Sequence, residues 1–350
     1  MLLFEPATVS KSGRLKPPYV GFTAGLVIRI FFASARDPRP HTHTHTHTHT
    51  HTHTHTPHSQ HVDDVITIAS ADGTWHFPGE AIMGLMLVED LLNGKSNYRL
   101  HVNLEDKKKN VEYLKAWLEV AGVDFDKQSV ISGDIIAKNV LVPEQAMCAV
   151  PSIKQLEWIH AKVKIFLEKK EAEMLSELQY DLCRKWNDLS QLRECETEQS
   201  HHADGLLVVF KRSKKRKLAQ FSWDELVIGL QATAKVHNLK LVILKDTQMP
   251  SVKYQLKIMS QAKVMIAVHG ASHVNQFGME PGNCVVEVSN PIYLLAMYGR
   301  IAFFQGLHFF GVSMTREGFE NDPRMRAEDS VVNVTELISA VERCPGLSRK

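Results

Sequence analysis

The chain has 350 residues, 44% hydrophobic and 23% charged, the balance of an ordinary soluble globular protein long enough for two domains. Its formal charge is +2, so no global field favours an acidic polymer, and no nucleic-acid partner is expected. The five cysteines, Cys148, Cys183, Cys195, Cys284 and Cys344, form no C-x-x-C pair, which argues against zinc-ribbon and thioredoxin-like motifs. A Cys183–Cys195 disulfide is one option if the chain is secreted.

Residues 1–61 read as a disordered leader. Basic "KSGRLK" precedes apolar "YVGFTAGLVIRIFF", broken by Arg29, and then "ASA" at Ala33 to Ala35, the pattern of a signal or weak membrane anchor. Residues 41–56 are eight His-Thr pairs with no apolar face to bury, a low-complexity tract with no specific role. Asn333-Val-Thr fits a glycosylation acceptor in a secretory protein.

The folded part begins near Val62. "DDVITIA" predicts a strand, "PGEAIMGLMLVEDLL" a helix, "YRLHVNL" a strand, "NVEYLKAWLEVAG" a helix stopped at Gly122, and "NVLVPE" a strand. This alternation gives an α/β domain over residues 62–151 with a mostly parallel sheet. Residues 152–204 hold a helical connector, with apolar residues from Ile159 to Leu189 at helical spacing.

A second α/β domain covers residues 205–325. Its strands are "LLVVF", "LKLVIL", "KVMIAV" and "NCVVEV", and its helices are "SWDELVIGLQATAKVHN", "SVKYQLKIMSQA" and "YLLAMYGRIAFFQG". Ser222 and Glu225 fit a capping box at the first of these helices. A helix and tail, residues 326–350, end the chain.

In open α/β sheets, ligands bind beyond the C-terminal ends of strands. After "LLVVF" comes the cluster "KRSKKRK", whose Arg212 and Arg216 suit a diphosphate through forked hydrogen bonds. After "MIAV", His269 and Gly270 turn the chain into a helix expected to start near Ser272, whose free N–H groups suit an anion. Asn275 lies near that start, Pro281 and Gly282 make the next turn, and Glu287 in the following strand is placed to accept ribose hydroxyls. Upstream, His76 and Glu80 lie four apart on one helix face. No G-x-G-x-x-G follows the first strand, and Gly270-Ala271-Ser272 runs into His273-Val274 rather than a nucleophile elbow, so dinucleotide oxidoreductases and serine hydrolases are disfavoured. "DFD" at Asp124 to Asp126 lies in a loop between helix and strand, on the side away from the expected cleft, and is not read as a metal site.

These residues resemble glycosyltransferase family 61, which includes EGF-domain O-GlcNAc transferases and plant xylosyltransferases. The matching positions are His269, Gly270, Ala271, Asn275, Pro281, Gly282 and Glu287, with Arg212 and Arg216 before them and His76 and Glu80 further upstream. His273 and Val274 stand where the family usually has Leu and a small polar residue, and Gln220 where Asn is common. The resemblance implies a GT-B fold of two Rossmann-like domains. It implies inverting transfer of GlcNAc or a pentose such as xylose from a UDP-sugar to a hydroxyl of a protein or glycan acceptor. It also implies no cofactor, no essential metal, and a place in the Golgi or endoplasmic reticulum lumen. Glu80 is the expected base, with His76 beside it. Arg212, Arg216, His269, Gly270, Ala271, Asn275 and Glu287 are the expected donor-binding residues. The alternative is a catalytically inactive relative that keeps nucleotide-sugar or partner binding.

Overall fold

The computed structural model describes residues 3–4, 7–9, 60–68, 76–93, 97–102, 111–125, 130–132, 135–143, 151–184, 203–213, 216–290, 297–315 and 330–347, with the side chains of 3–4, 7–9, 136, 171–184 and 346 not described. The apolar span of the leader, the His-Thr tract, Cys195 and Asp126 fall outside these residues. Among the described residues, no helix is long and apolar enough to cross a membrane.

The first sheet contains β1 (Leu3–Phe4), β2 (Ala7–Val9), β3 (Gln60–Thr67), β4 (Arg99–His101), β5 (Val130–Ile131) and β6 (Ile135–Leu141). Its order is β1-β6-β3-β4-β5. Strand β3 runs parallel to β4 and β6, and β4 parallel to β5. Both β1 and β2 pair antiparallel with β6, so part of the expected disordered leader extends this sheet. Backbone pairing to an open edge satisfies the donors and acceptors of β6.

Three helices follow the pattern read from sequence. Helix α1 (77–93) opens with a π turn over Phe77–Ala81 that holds Pro78 and Gly79. Helix α2 (Val111–Val120) buries Leu114, Trp117, Leu118 and Val120. It ends in a Schellman motif: Val123 N–H donates to Leu118 O at 2.9 Å and Gly122 N–H to Glu119 O at 2.9 Å. Gly122 adopts φ +88°, the left-handed value this cap requires. Helix α3 (Ile153–Arg184) is the connector, 32 residues long.

The second sheet begins with β7 (Gly205–Lys211), α4 (Gln220–Val236), β8 (Leu239–Lys245), α5 (Val252–Ser260) and β9 (Ala262–Val268). A 3-10 helix (Ala271–Gly278) leads to β10 (Cys284–Ser289), α6 (Met297–Phe304), β11 (His308–Thr315), β12 (Val331–Val332) and α7 (Val334–Glu342). The order is β12-β11-β10-β9-β7-β8, parallel from β8 through β11, with β12 antiparallel at the edge. Leu206 to Phe210 of β7 are all buried, as a strand covered on both faces requires. Alternation sends Leu207 and Val209 towards α4 and α7, and Leu206, Val208 and Phe210 towards the core beneath α5.

The two sheets share one apolar seam. Trp117 of α2, Ile159 and Phe166 of α3, Leu256 of α5, Phe277 of the 3-10 helix and Ile301 of α6 belong to a single buried cluster. Trp117 meets Phe277 edge to face, with ring centroids 6.2 Å apart.

Several expectations are corrected. Helix α4 starts two residues before Ser222, with Ala219 at its N-cap and no side-chain cap. Ser222 is buried inside its first turn, so the capping box does not form. Trp223 N–H donates to Ala219 O at 2.9 Å, so the ladder is already running there. The side-chain cap instead belongs to α7, where Asn333 accepts from Glu336 N–H at 3.1 Å. Among the described residues a disulfide joins Cys284 at the start of β10 to Cys344 just after α7, while the Cys183–Cys195 option involves Cys195, outside the described residues, and is untouched by it. Strand β11 was not read from the sequence. Its Gly311 and one-sided burial give only a weak strand signal.

Candidate active site

The order of the second sheet places β8 on one side of β7 and β9 on the other. The chain therefore leaves β7 and β9 towards opposite edges, opening a crevice beyond their C-terminal ends. Arg212 follows β7 directly, and His269 and Gly270 follow β9.

Gly270 is where these two strand ends meet. Its backbone, at φ 152° and ψ −168°, lies in a region almost closed to residues with a side chain. A Cβ built there would lie 2.4 Å from Arg212 Nη1 and 3.1 Å from Arg216 Nη1. The missing side chain is the space that both guanidinium groups occupy. Arg216, itself at φ 60°, donates from Nη1 to His269 O at 2.8 Å and so ties the basic loop to the corner. Burial and neighbouring Arg216 hold the Arg212 guanidinium below its usual range, opposed by Asp246 and Tyr298. Two adjacent cations of this kind favour an anionic ligand with oxygen atoms for both.

His269 is held from three sides. Its N–H donates to Val288 O at 2.8 Å, its Nδ1 hydrogen-bonds Glu287 Oε1, and its ring lies 5.1 Å from that of Tyr298. Glu287 is 4% exposed, and its Oε1 is engaged with His269. It orients His269 from within the sheet. His273 is fully buried and stacks on Tyr298 at 4.3 Å. Burial pushes its pKa down to about 4.

In front of Arg212 lies a cavity of about 410 Å³. Asp246 and Gln255 line one wall and Ala271, Ser272 and Asn275 another. Glu112, Tyr113 and Ala116 of α2 close it from the first sheet. Asn275 Nδ2 donates to Ser272 O at 3.0 Å, which steadies the turn. The segment after Gly270 is a 3-10 helix, not the α-helix expected near Ser272, so the positive charge at this corner comes from the two arginines rather than from a helix macrodipole.

His76 and Glu80 do pair, Nδ1 to Oε1 at 2.9 Å, with the Glu80 side chain 12% exposed. They do not line this cavity. The structure thus brings Arg212, Arg216, His269, Gly270, Ala271, Asn275 and Glu287 together and leaves His76 and Glu80 as a separate pair. Asp246, Gln255, Tyr298 and Tyr113 were missed. Asp246 alone carried a readable signal, because it directly follows a strand in the same way as Arg212.

A family model described as Glycosyltransferase 61 matches residues 74–286, more than half of the chain. The chain belongs to glycosyltransferase family 61. The match opens two residues before His76 and closes one residue before Glu287, so it takes in both arginines and the His-Gly corner. No curated protein matches the chain. Among solved structures, E. coli heptosyltransferase WaaC with ADP-2-deoxy-2-fluoro heptose is similar at 11% identity and a TM-score of 0.31, covering 71% of this chain and 92% of that one. This family 61 glycosyltransferase is a mixed α/β protein with parallel sheets, and its substrates are a sugar donor and an acceptor.

Proposed function

We propose that this glycosyltransferase moves a sugar, GlcNAc or a pentose such as xylose, from a UDP-sugar to a hydroxyl of a protein or glycan, inverting the anomeric centre. The carrying observation is the convergence of Arg212 and Arg216 on Gly270 beside the cavity. In this reading Arg212 and Arg216 bind the diphosphate and stabilise its charge as it leaves. The sheets form the two halves of a GT-B arrangement, with the donor on β7 and β9 and the acceptor approaching from α1 and α2. Glu80 is the proposed base that takes the acceptor proton, and His76 orients it. With arginines neutralising the leaving group, no metal is assigned a role. The Cys284–Cys344 disulfide supports an oxidising compartment such as the secretory lumen.

The test is thermal protection of the full chain by UDP. The expected result is a raised melting temperature with UDP and loss of that rise in Arg212→Ala. No shift with any nucleoside diphosphate would remove the donor assignment. Protection that survives Arg212→Ala would remove the diphosphate role of that residue.

A further inference from the structure

The loop that carries both arginines is fixed to the sheet by a residue outside the family's matching pattern. Asp246, immediately after β8, donates its own N–H to Lys211 O at 3.1 Å. Its carboxylate accepts the Ser213 N–H, at 3.0 Å to Oδ1 and 3.1 Å to Oδ2. The two bonds bracket Arg212, one on the residue before it and one on the residue after. They therefore fix where the chain departs from β7 and how Arg212 enters the crevice. Arg216 is tied separately, through His269 O. Asp246 also lines the cavity, so it acts at the site itself.

We propose that Asp246 is a positioning residue for donor binding: its carboxylate staples Ser213 and so sets the Arg212 guanidinium against Gly270, ready for the diphosphate. This role rests on the donor reading above. It differs from two other duties of an acid here. An acid that only balanced the arginine charge would weaken diphosphate binding, and its removal would tighten it. An acid that accepted ribose hydroxyls would contribute to nucleoside binding without any phosphate.

The experiment is calorimetric titration of the full-length protein with UDP and with uridine. Asp246→Asn keeps an oxygen to accept the Ser213 N–H and is expected to bind UDP within about threefold of wild type. Asp246→Ala loses the acceptor, and Asp246→Glu moves it by one methylene. Both are expected to lose about tenfold for UDP while uridine binding stays unchanged, the usual scale for one hydrogen bond at a charged site. Tighter UDP binding by Asp246→Ala would overturn the positioning role in favour of charge balance, and a tenfold loss in Asp246→Asn would overturn it because the oxygen that accepts the Ser213 N–H is still present there. Loss of uridine binding would overturn it in favour of ribose contact. If Asp246→Ala does not fold, the contrast between the Asn and Glu variants decides the matter, and equal affinities for UDP overturn the role. UDP binding lost in Arg212→Ala but intact in Asp246→Ala and Asp246→Glu refutes this role alone. Failure of the wild-type protein to bind UDP refutes the donor reading together with it.

Discussion

Arg212 Nη1 occupies the space that a side chain on Gly270 would fill, 2.4 Å from the position of its Cβ. A glycine at the end of β9 and an arginine at the end of β7, far apart in sequence, thus form one feature. Gly270→Ala is expected to push Arg212 aside and to strain the backbone at φ 152°. The displaced contacts correspond to a loss of about tenfold to a hundredfold in UDP affinity. The backbone strain costs about 1–3 kcal/mol of stability. Titration with UDP and urea unfolding measure the two effects separately, and unchanged UDP affinity would show that Arg212 does not need the vacated space.

Glu80 and His76 form their own pair away from the cavity wall. If Glu80 is the base, Glu80→Gln lowers the transfer rate by about a hundredfold or more while UDP affinity stays at the wild-type value. Steady-state kinetics with a transferred sugar, beside UDP titration, provide the split. Full turnover in Glu80→Gln would move the search for the base to Glu112, the carboxylate that α2 presents to the cavity.

His273 imposes a pH dependence on folding. Its ordinary value is 6.5, and burial lowers it to about 4 in the folded chain. The unfolded chain therefore binds the extra proton first as pH falls. Stability from this group is complete above pH 6.5 and is lost as pH falls from 6.5 towards 4. The slope reaches about 1.4 kcal/mol per pH unit. Urea unfolding at pH 7 and pH 5 should show a clear drop in wild type and a shallower one in His273→Leu, the residue usual at this position in the family pattern. Parallel pH profiles for the two proteins would show that His273 is not the group responsible.

The Cys284–Cys344 bond closes a loop across a sequence separation of 60, which contains α6, β11, β12 and α7. Constraint of the unfolded chain over such a loop is worth about 2–4 kcal/mol. Cys344→Ala should lower stability by that amount under oxidising conditions and match the reduced wild-type protein. Equal stability of oxidised and reduced wild type would remove the bond from the account.

The sequence made the central strands readable because burial on both faces leaves an unbroken apolar run, as in β7 and β9. The helix stop at Gly122 was readable because only a left-handed residue completes that cap. The corner at His269 and Gly270 was readable because polar residues directly followed a buried strand. The misread features depend on partners distant in sequence. Ser222 and Glu225 have capping-box spacing, but Ser222 faces the interior, and the residue that begins the helix is set by the approach of the preceding chain. The strand position of Glu287 does not reveal that its carboxylate also holds His269. The partner of Cys284 lay beyond any local pattern. Asp246 was overlooked because a single aspartate after a strand is common, and its bonds to the Arg212 loop exist only once β7 and β8 are side by side.

The seam of Trp117 and Phe277 has a mechanical consequence. Both rings are almost fully shielded from water, in contact, and mounted on helices of different sheets. Wide rotation of one sheet away from the other would wet them both, at about 2–3 kcal/mol for the phenylalanine and somewhat more for the larger tryptophan. The seam thus ties α2, which closes the cavity from the first sheet, to the 3-10 helix that follows Gly270, and it opposes a swing of one sheet away from the other.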